Sequence, residues 1–181
     1  MSGRLDQMDK EILKHDAGVV TEMGNPEIRK VILQVQECVS ALPKAFFGDN
    51  EQCPLKHSFA DGIYMREIFI PKDTLLVGKI HKHSHPNIIL KGDVSVLTEE
   101  GAKRIKAPCS MISPAGTKRV VYAHEDTVWV TFHVTKSQNL EEIEEEIIAK
   151  SYEEIEGTLN VEINKFIDEI KSSEGDEKCL G

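Results

Sequence analysis

Apolar and polar positions along this chain change rhythm several times, and each rhythm predicts a different kind of element. Residues 1–25 are polar and aperiodic, which predicts an irregular arm. Asn25-Pro26-Glu27 then makes a helix start, with Asn as N-cap, Pro at the first helical position and an acid in the first turn. Ile28, Val31, Ile32, Val35 and Val39 follow at helical spacing, so an amphipathic helix is expected to about Leu42, where Pro43 ends it. Residues 44–61 read as a loop.

From Gly62 to Val134 the apolar residues gather in short runs: Ile63–Ile70, Leu75–His83, Asn87–Leu90, Val94–Leu97, Lys103–Lys106, Ser110–Ser113, Arg119–Ala123 and Thr127–Val134. Turn signals separate them, among them Pro71-Lys72-Asp73, Lys91-Gly92-Asp93, Glu99-Glu100-Gly101 and Pro114-Ala115-Gly116. Short strands about ten residues apart favour an antiparallel barrel or jelly roll. The last run is the clearest, with Val128, Val130, Phe132 and Val134 alternating with Trp129, Thr131 and His133. After Lys136 the helical rhythm returns. Asn139 and Glu142 resemble a capping box, and Leu140, Ile143, Ile147 and Ile148 form the apolar stripe behind it. A second helix is expected around 161–170, with Ile163, Phe166, Ile167 and Ile170 on its stripe. The chain thus divides into an arm (1–25), a helix plus loop (26–61), a barrel (62–136), acidic helices (137–171) and a tail (172–181) expected to be disordered.

Composition narrows the class. With 181 residues, 40% hydrophobic and 29% charged, the chain has the make-up of a globular domain with appendages. It has no apolar run of membrane-spanning length, and residues 1–14 are too polar for a secretory signal, so a soluble cytoplasmic protein without membrane partners is expected. Cys38, Cys53, Cys109 and Cys179 lie far apart, which suits a reducing compartment rather than a disulfide framework. Cys109 reads as small core filler. The net charge is −9, but the acids concentrate after residue 140. The middle of the chain is basic, with Lys79, Lys82, Lys91, Lys103, Arg104, Lys106, Lys118 and Arg119 against Asp93, Glu99 and Glu100. Duplex nucleic acid is disfavoured as a partner, whereas a small anionic molecule bound in the middle fits.

Candidate chemistry sits in the same basic region. In His81-Lys82-His83-Ser84-His85, an extended backbone puts the three imidazoles on one face. Such a ladder suits either a transition-metal site or an anion site. On a flat strand the three rings spread over roughly 13 Å, so one ion takes all three only if the strand bends.

This region resembles a cupin. The first cupin motif is a Gly, an HxH pair, a Glu and a closing Gly. In one register His81 takes the second His position, His85 the Glu position and Gly92 the closing Gly, which leaves Lys79 at the first His position and Asp73 at the leading Gly. In the other, His81 and His83 form the HxH and Asn87 stands where Glu is expected. The second motif reads Pro114-Ala115-Gly116-Thr117-Lys118-Arg119, with Arg119 in place of the last metal-ligand His. Arginine stays charged and does not ligate metal. The stretch SPAGTKRVVYAHEDTVWVTFH and the acidic helix after it look like single-domain cupins encoded by tailed phages and prophages, which implies a genomic context rather than an activity. The resemblance implies a mainly β, cupin-type antiparallel barrel or jelly roll with one N-terminal helix and two C-terminal helices, associating as a homodimer or larger.

Three functions stay open at this point. The first is a pocket that binds, and in a phage setting sequesters, a small anionic, nucleotide-like ligand. Arg119 with Lys79 or Lys118 would hold its charge, His81, His83 and His85 would hydrogen-bond it, and Tyr64, Tyr122 or Trp129 would stack on a base or sugar. The second is a metal-dependent enzyme (oxygenase, isomerase or hydrolase) with Fe, Mn, Ni or Zn on His81, His83 and His85. Here His133 and His124 are weaker candidate ligands that read more readily as structural. The third is a virion component with a vestigial pocket, its Arg119 paired with Glu67 inside the barrel.

Overall fold

Alternation along each strand sends one row of side chains inward, and the pairing register decides which rows meet. The computed structural model describes residues 25–45, 47 and 49–156. Helix α1 (Pro26–Ser40) opens it, capped by Asn25 Oδ1, which accepts a 3.0 Å hydrogen bond from Glu27 N. Strands β1 (Leu55–Ala60), β2 (Ile63–Ile70), β3 (Leu75–Val77), β4 (Ile80–His81), β5 (His85–Lys91), β6 (Asp93–Thr98), β7 (Gly101–Lys106), β8 (Cys109–Ser113), β9 (Val120–Ala123) and β10 (Thr127–Val134) follow, then helix α2 (Leu140–Ile147) and strand β11 (Ile148–Ala149).

All pairings are antiparallel. One sheet runs β1-β2-β10-β5-β8, a second β3-β9-β6-β7, and β11 pairs with β4. The two larger sheets face each other across a core of Ile70, Ile89 and Trp129 from one and Val94, Val96, Val121 and Ala123 from the other. This is a cupin-type jelly roll.

Three differences from the sequence reading bear on the site. The expected loop over 44–61 contains β1, whose hairpin with β2 closes through Asp61-Gly62, with Gly62 at φ +77. The expected run Leu75–His83 breaks into β3 and β4, and residues 82–84 bend before β5. In β10 the inner row is Thr127, Trp129, Thr131 and His133, while Val128, Phe132 and Val134 are more exposed on the outer side. Register explains this orientation: Trp129 stands beside Ile68 and Ile89, Thr131 beside Arg66 and Asn87, and His133 beside Tyr64.

The C-terminal segment packs back on the barrel. Asn139 Oδ1 accepts from Glu141 N (2.8 Å) and Glu142 N (3.3 Å). The far half of the expected box is replaced, since Asn139 N donates to Ser137 Oγ, which itself donates to Glu142 Oε2. Ile143, Ile147 and Ile148 bury against Tyr64, and Lys82 N donates to Ile147 O at 2.9 Å. Together with the β4–β11 pairing, this fixes the backbone around His81. Residues 152–156 are helical. The expected arm before Asn25, the helix around 161–170 and the tail 172–181 lie outside the described residues.

Candidate metal and anion site

The bend after His81 makes the site. It turns His85 back toward His81, with ring centroids 4.3 Å apart, and β10 brings in His133 at 5.3 Å from His81 and 4.7 Å from His85. One nitrogen from each ring fits within a 4.8 Å group. All three side chains are buried. His83 is not among them: its side chain is exposed at the bend, and only its carbonyl takes part, accepting from His85 Nδ1 at 3.1 Å. The structure thus brings His81 and His85 together with His133, and leaves His83 outside the cluster. A straight strand would have kept the ladder and spread it too far.

Hydrogen bonds assign the ring nitrogens. His85 Nδ1 gives its proton to the His83 carbonyl, so Nε2 presents a lone pair, and it is buried without a protein partner. Thr131 donates its hydroxyl proton to Arg66 O and accepts from His133 Nε2 at 3.2 Å, which leaves His133 Nδ1 as the lone-pair nitrogen. Arg66 Nη2 can only donate, so its long 3.4 Å contact makes His81 Nε2 the acceptor and places the ring proton on Nδ1, which is buried without a partner. Burial, reinforced by His85, Arg66, His133 and Arg119, pushes His81 down to about 2. Burial with His85, Arg66 and His83 pushes His133 down to about 3, and burial also lowers His85. The rings are neutral at ordinary pH, and their lone pairs lie on His85 Nε2, His133 Nδ1 and the His81 Nε2 that faces Arg66.

Charge comes from two arginines instead. Arg66 shares the inner face of β2 with Tyr64, Ile68 and Ile70, and burial lowers its pKa. Arg119, just before β9, donates to Ser113 Oγ, and its guanidinium lies 5.5 Å from the Trp129 ring centroid. Burial pushes its pKa down to about 10. A supporting network holds this wall: Asn87 Nδ2 donates to Ser113 Oγ at 2.6 Å and to His85 O at 3.0 Å, while its Oδ1 accepts from Trp129 Nε1 at 3.1 Å. A cleft of about 1230 Å³ gives access, lined by Tyr64, Arg66, His81, Arg119, Trp129 and Thr131 among others.

The other expected residues are placed differently. Lys79 stands at the rim, ion-paired with Glu144. Lys118 is buried and donates to Gly78 O at 2.7 Å. Tyr64 stacks on His133 at 6.0 Å, with its hydroxyl 2.7 Å from His57 Nδ1. Trp129 is buried in the core, so neither ring offers a free platform for a base. Tyr122 lies outside the cleft lining, its hydroxyl bonded to Asp73 at 3.0 Å. His124 bonds Ser95 Oγ at 2.8 Å. Arg119 points to Ser113 and Trp129 instead of Glu67, which stands beside Lys56 in the β1–β2 pair. The spacing His81–His85–Gly92 matches the first register, and Asn87 supports the wall instead of ligating. Arg66 was missed, although the alternation Tyr64–Arg66–Ile68–Ile70 places it on the inward row.

Fold and site together define a cupin-type barrel with a buried three-histidine cluster between two arginines. No protein-family model matches the chain, and no curated protein does. Similar solved structures include a cupin superfamily protein from Desulfitobacterium hafniense (9% identity, 51% of this chain and 88% of the other, TM-score 0.41). Two more are KdgF from Halomonas sp. (13%, 49% and 84%, 0.42) and a putative ethanolamine utilization protein Q from Salmonella typhimurium (12%, 50% and 80%, 0.42).

Proposed function

We propose that this chain is a cupin-type pocket protein in which His81, His85 and His133 hold one divalent transition metal ion, with a small anionic ligand entering through the cleft beside it. The observation that carries this reading is the buried 4.8 Å three-histidine group, in which His85 Nε2 is a lone-pair nitrogen without a protein partner. An unsatisfied buried polar atom costs about 1–3 kcal/mol, so the orphaned lone pair of His85 favours a bound group that satisfies it. Neutral imidazoles fit Fe, Ni or Zn well, and Mn, a carboxylate-preferring ion, less well. When bound, such an ion supplies Lewis-acid polarisation at an open coordination position. The chain's own part is to desolvate the three rings, fix the His85 and His133 tautomers through His83 O and Thr131, and present Arg66 and Arg119 to the ligand's charge. Because Trp129 and Tyr64 are already packed, the ligand would be held by charge and hydrogen bonds rather than by stacking on these rings.

Elemental analysis of the purified protein tests the reading. Near-stoichiometric transition metal is expected in wild type and in His83→Ala, with a loss of about tenfold or more in His85→Ala and His133→Ala. Metal-free wild type after growth and dialysis in metal-supplemented medium would refute it, as would equal loss in His83→Ala.

A further inference from the structure

Charge in the barrel interior does not balance, and this carries an inference that rests on the metal reading above. Arginine stays charged, and the guanidiniums of Arg66 and Arg119 stand in the same cleft lining as His81. Among the described residues neither guanidinium forms an ion pair with a carboxylate. Arg66 reaches only the His81 ring at 3.4 Å, and Arg119 reaches Ser113 Oγ and the Trp129 face. Glu144 acts on Arg66 and Glu100 on Arg119 only through space, and each is already paired, with Lys79 and with Lys103 respectively. A divalent ion on the triad would bring the site to four positive charges with no anion among its ligands. Such charges repel strongly in a desolvated setting.

We propose that a small carboxylate anion held by Arg66 and Arg119 is the co-ligand that makes metal binding favourable here, so that metal and carboxylate bind this site cooperatively. Arg66 has five N–H donors in a planar fork and one long contact to spend them on, which leaves the fork open for carboxylate oxygens. Arg119 stands in the same cleft lining, held by the Asn87–Ser113 pair. The anion cancels charge for the metal, and the metal does the same for the anion, so each raises the other's affinity by one common factor.

Cobalt(II) titration of metal-stripped full-length protein, followed by its visible absorption, tests this. One arm contains perchlorate as the only added anion and the other adds succinate in large excess over protein. Wild type is expected to bind cobalt about tenfold or more tightly with succinate. Arg66→Gln is expected to behave oppositely in the two arms. Cobalt binding without succinate strengthens several-fold as one repelling charge disappears, and the succinate effect shrinks to about threefold or less. Folding of the variant is checked by circular dichroism, and Arg66→Lys, which keeps the charge, is expected to restore the repulsion. Equal cobalt affinity in both wild-type arms would overturn the co-ligand inference while leaving the histidine site standing. No cobalt binding in either arm would overturn both.

Discussion

At His85 the two ring nitrogens have different surroundings, and the difference has a pH consequence. Nδ1 is held by the His83 carbonyl, while Nε2 faces the other rings with nothing to bond. His81 and His133, lowered from 6.5 to about 2 and about 3, likewise refuse a proton while folded. In the unfolded chain the same rings protonate near 6.5. The sign follows: their neutral burial costs nothing extra above that value, and the metal-free protein loses stability as pH falls below it. The loss reaches about 1.4 kcal/mol per pH unit for each ring and continues toward the folded pKa values. Urea unfolding of metal-free protein at about pH 7.5 and about pH 5 measures this. His133→Gln is expected to reduce the pH slope by about one proton, and an unchanged midpoint between the two pH values would contradict neutral burial. At this scale His81 and His85 were legible because the cupin spacing to Gly92 marks them. His133 stood only as a weak candidate and Arg66 was not named, because their membership depends on which row of β10 and β2 faces inward. The outward row of β10 is also apolar, with Val128, Val130 and Phe132, so hydrophobicity alone pointed the wrong way.

Among elements, the break between β4 and β5 and the turn between β5 and β6 matter most. Gly92 sits at φ +111, a conformation that disfavours any side chain, and a Cβ there would lie 2.8 Å from Thr127 Cα. Thr127 begins β10, the strand that carries His133 next to its far end. Gly92→Ala must therefore either strain the turn or push β10 away from β5. The expected cost is about 2–4 kcal/mol, read from the urea midpoint, together with weaker metal retention because His133 shifts relative to His85. Gly62→Ala makes the control, since its φ is +77 but nothing lies within 4 Å of the added carbon, and a smaller loss of about 1 kcal/mol is expected with metal retention unchanged. Equal effects of the two substitutions would show that the close approach to Thr127 is unimportant. The glycines and the jelly-roll strands were readable as turn and run. Strand β1 was not: Leu55–Ala60 carries its apolar residues at 55, 59 and 60 with Lys, His and Ser between, which is no alternation, and it forms because β2 offers it a paired edge. The split of Leu75–His83 was hidden for a related reason, since β4 is stabilised by β11, some 70 residues later in the chain.

Across the whole molecule, the acidic C-terminal region and the N-terminal helix meet through one cation. Arg29 of α1 bonds Glu99 at 3.0 and 3.1 Å and Glu156 at 2.6 Å, with its guanidinium 4.0 Å from the Tyr152 ring centroid. Arg29 thus ties the helix, the β6–β7 turn and the segment after β11 together, beside a backbone bond from Asn25 N to Glu99 O at 3.4 Å. None of this shows in a periodicity, because the three partners are separated by long stretches of sequence and only the folded barrel brings them together. Arg29 and Glu99 are 21% and 12% exposed, so their bidentate pair is better shielded than a surface ion pair, while Glu156 at 44% is screened by solvent. Removing Arg29 leaves the more buried acid, Glu99, without its partner, whereas removing Glu156 leaves Arg29 still satisfied by Glu99. Arg29→Ala is accordingly expected to lower stability by about 1–3 kcal/mol and Glu156→Ala by less than about 1 kcal/mol. A double-mutant cycle between Arg29→Ala and Glu99→Ala separates the pair from packing against Tyr152, with a coupling of about 1 kcal/mol expected. Because β11 and the residues before Tyr152 also brace β4, the tie reaches the site: Arg29→Ala is expected to speed proteolysis of the C-terminal segment and to accelerate metal loss to a chelator. Stability loss with an unchanged rate of metal loss would show that the tie secures the helix alone and leaves His81 held by the β4–β11 pairing.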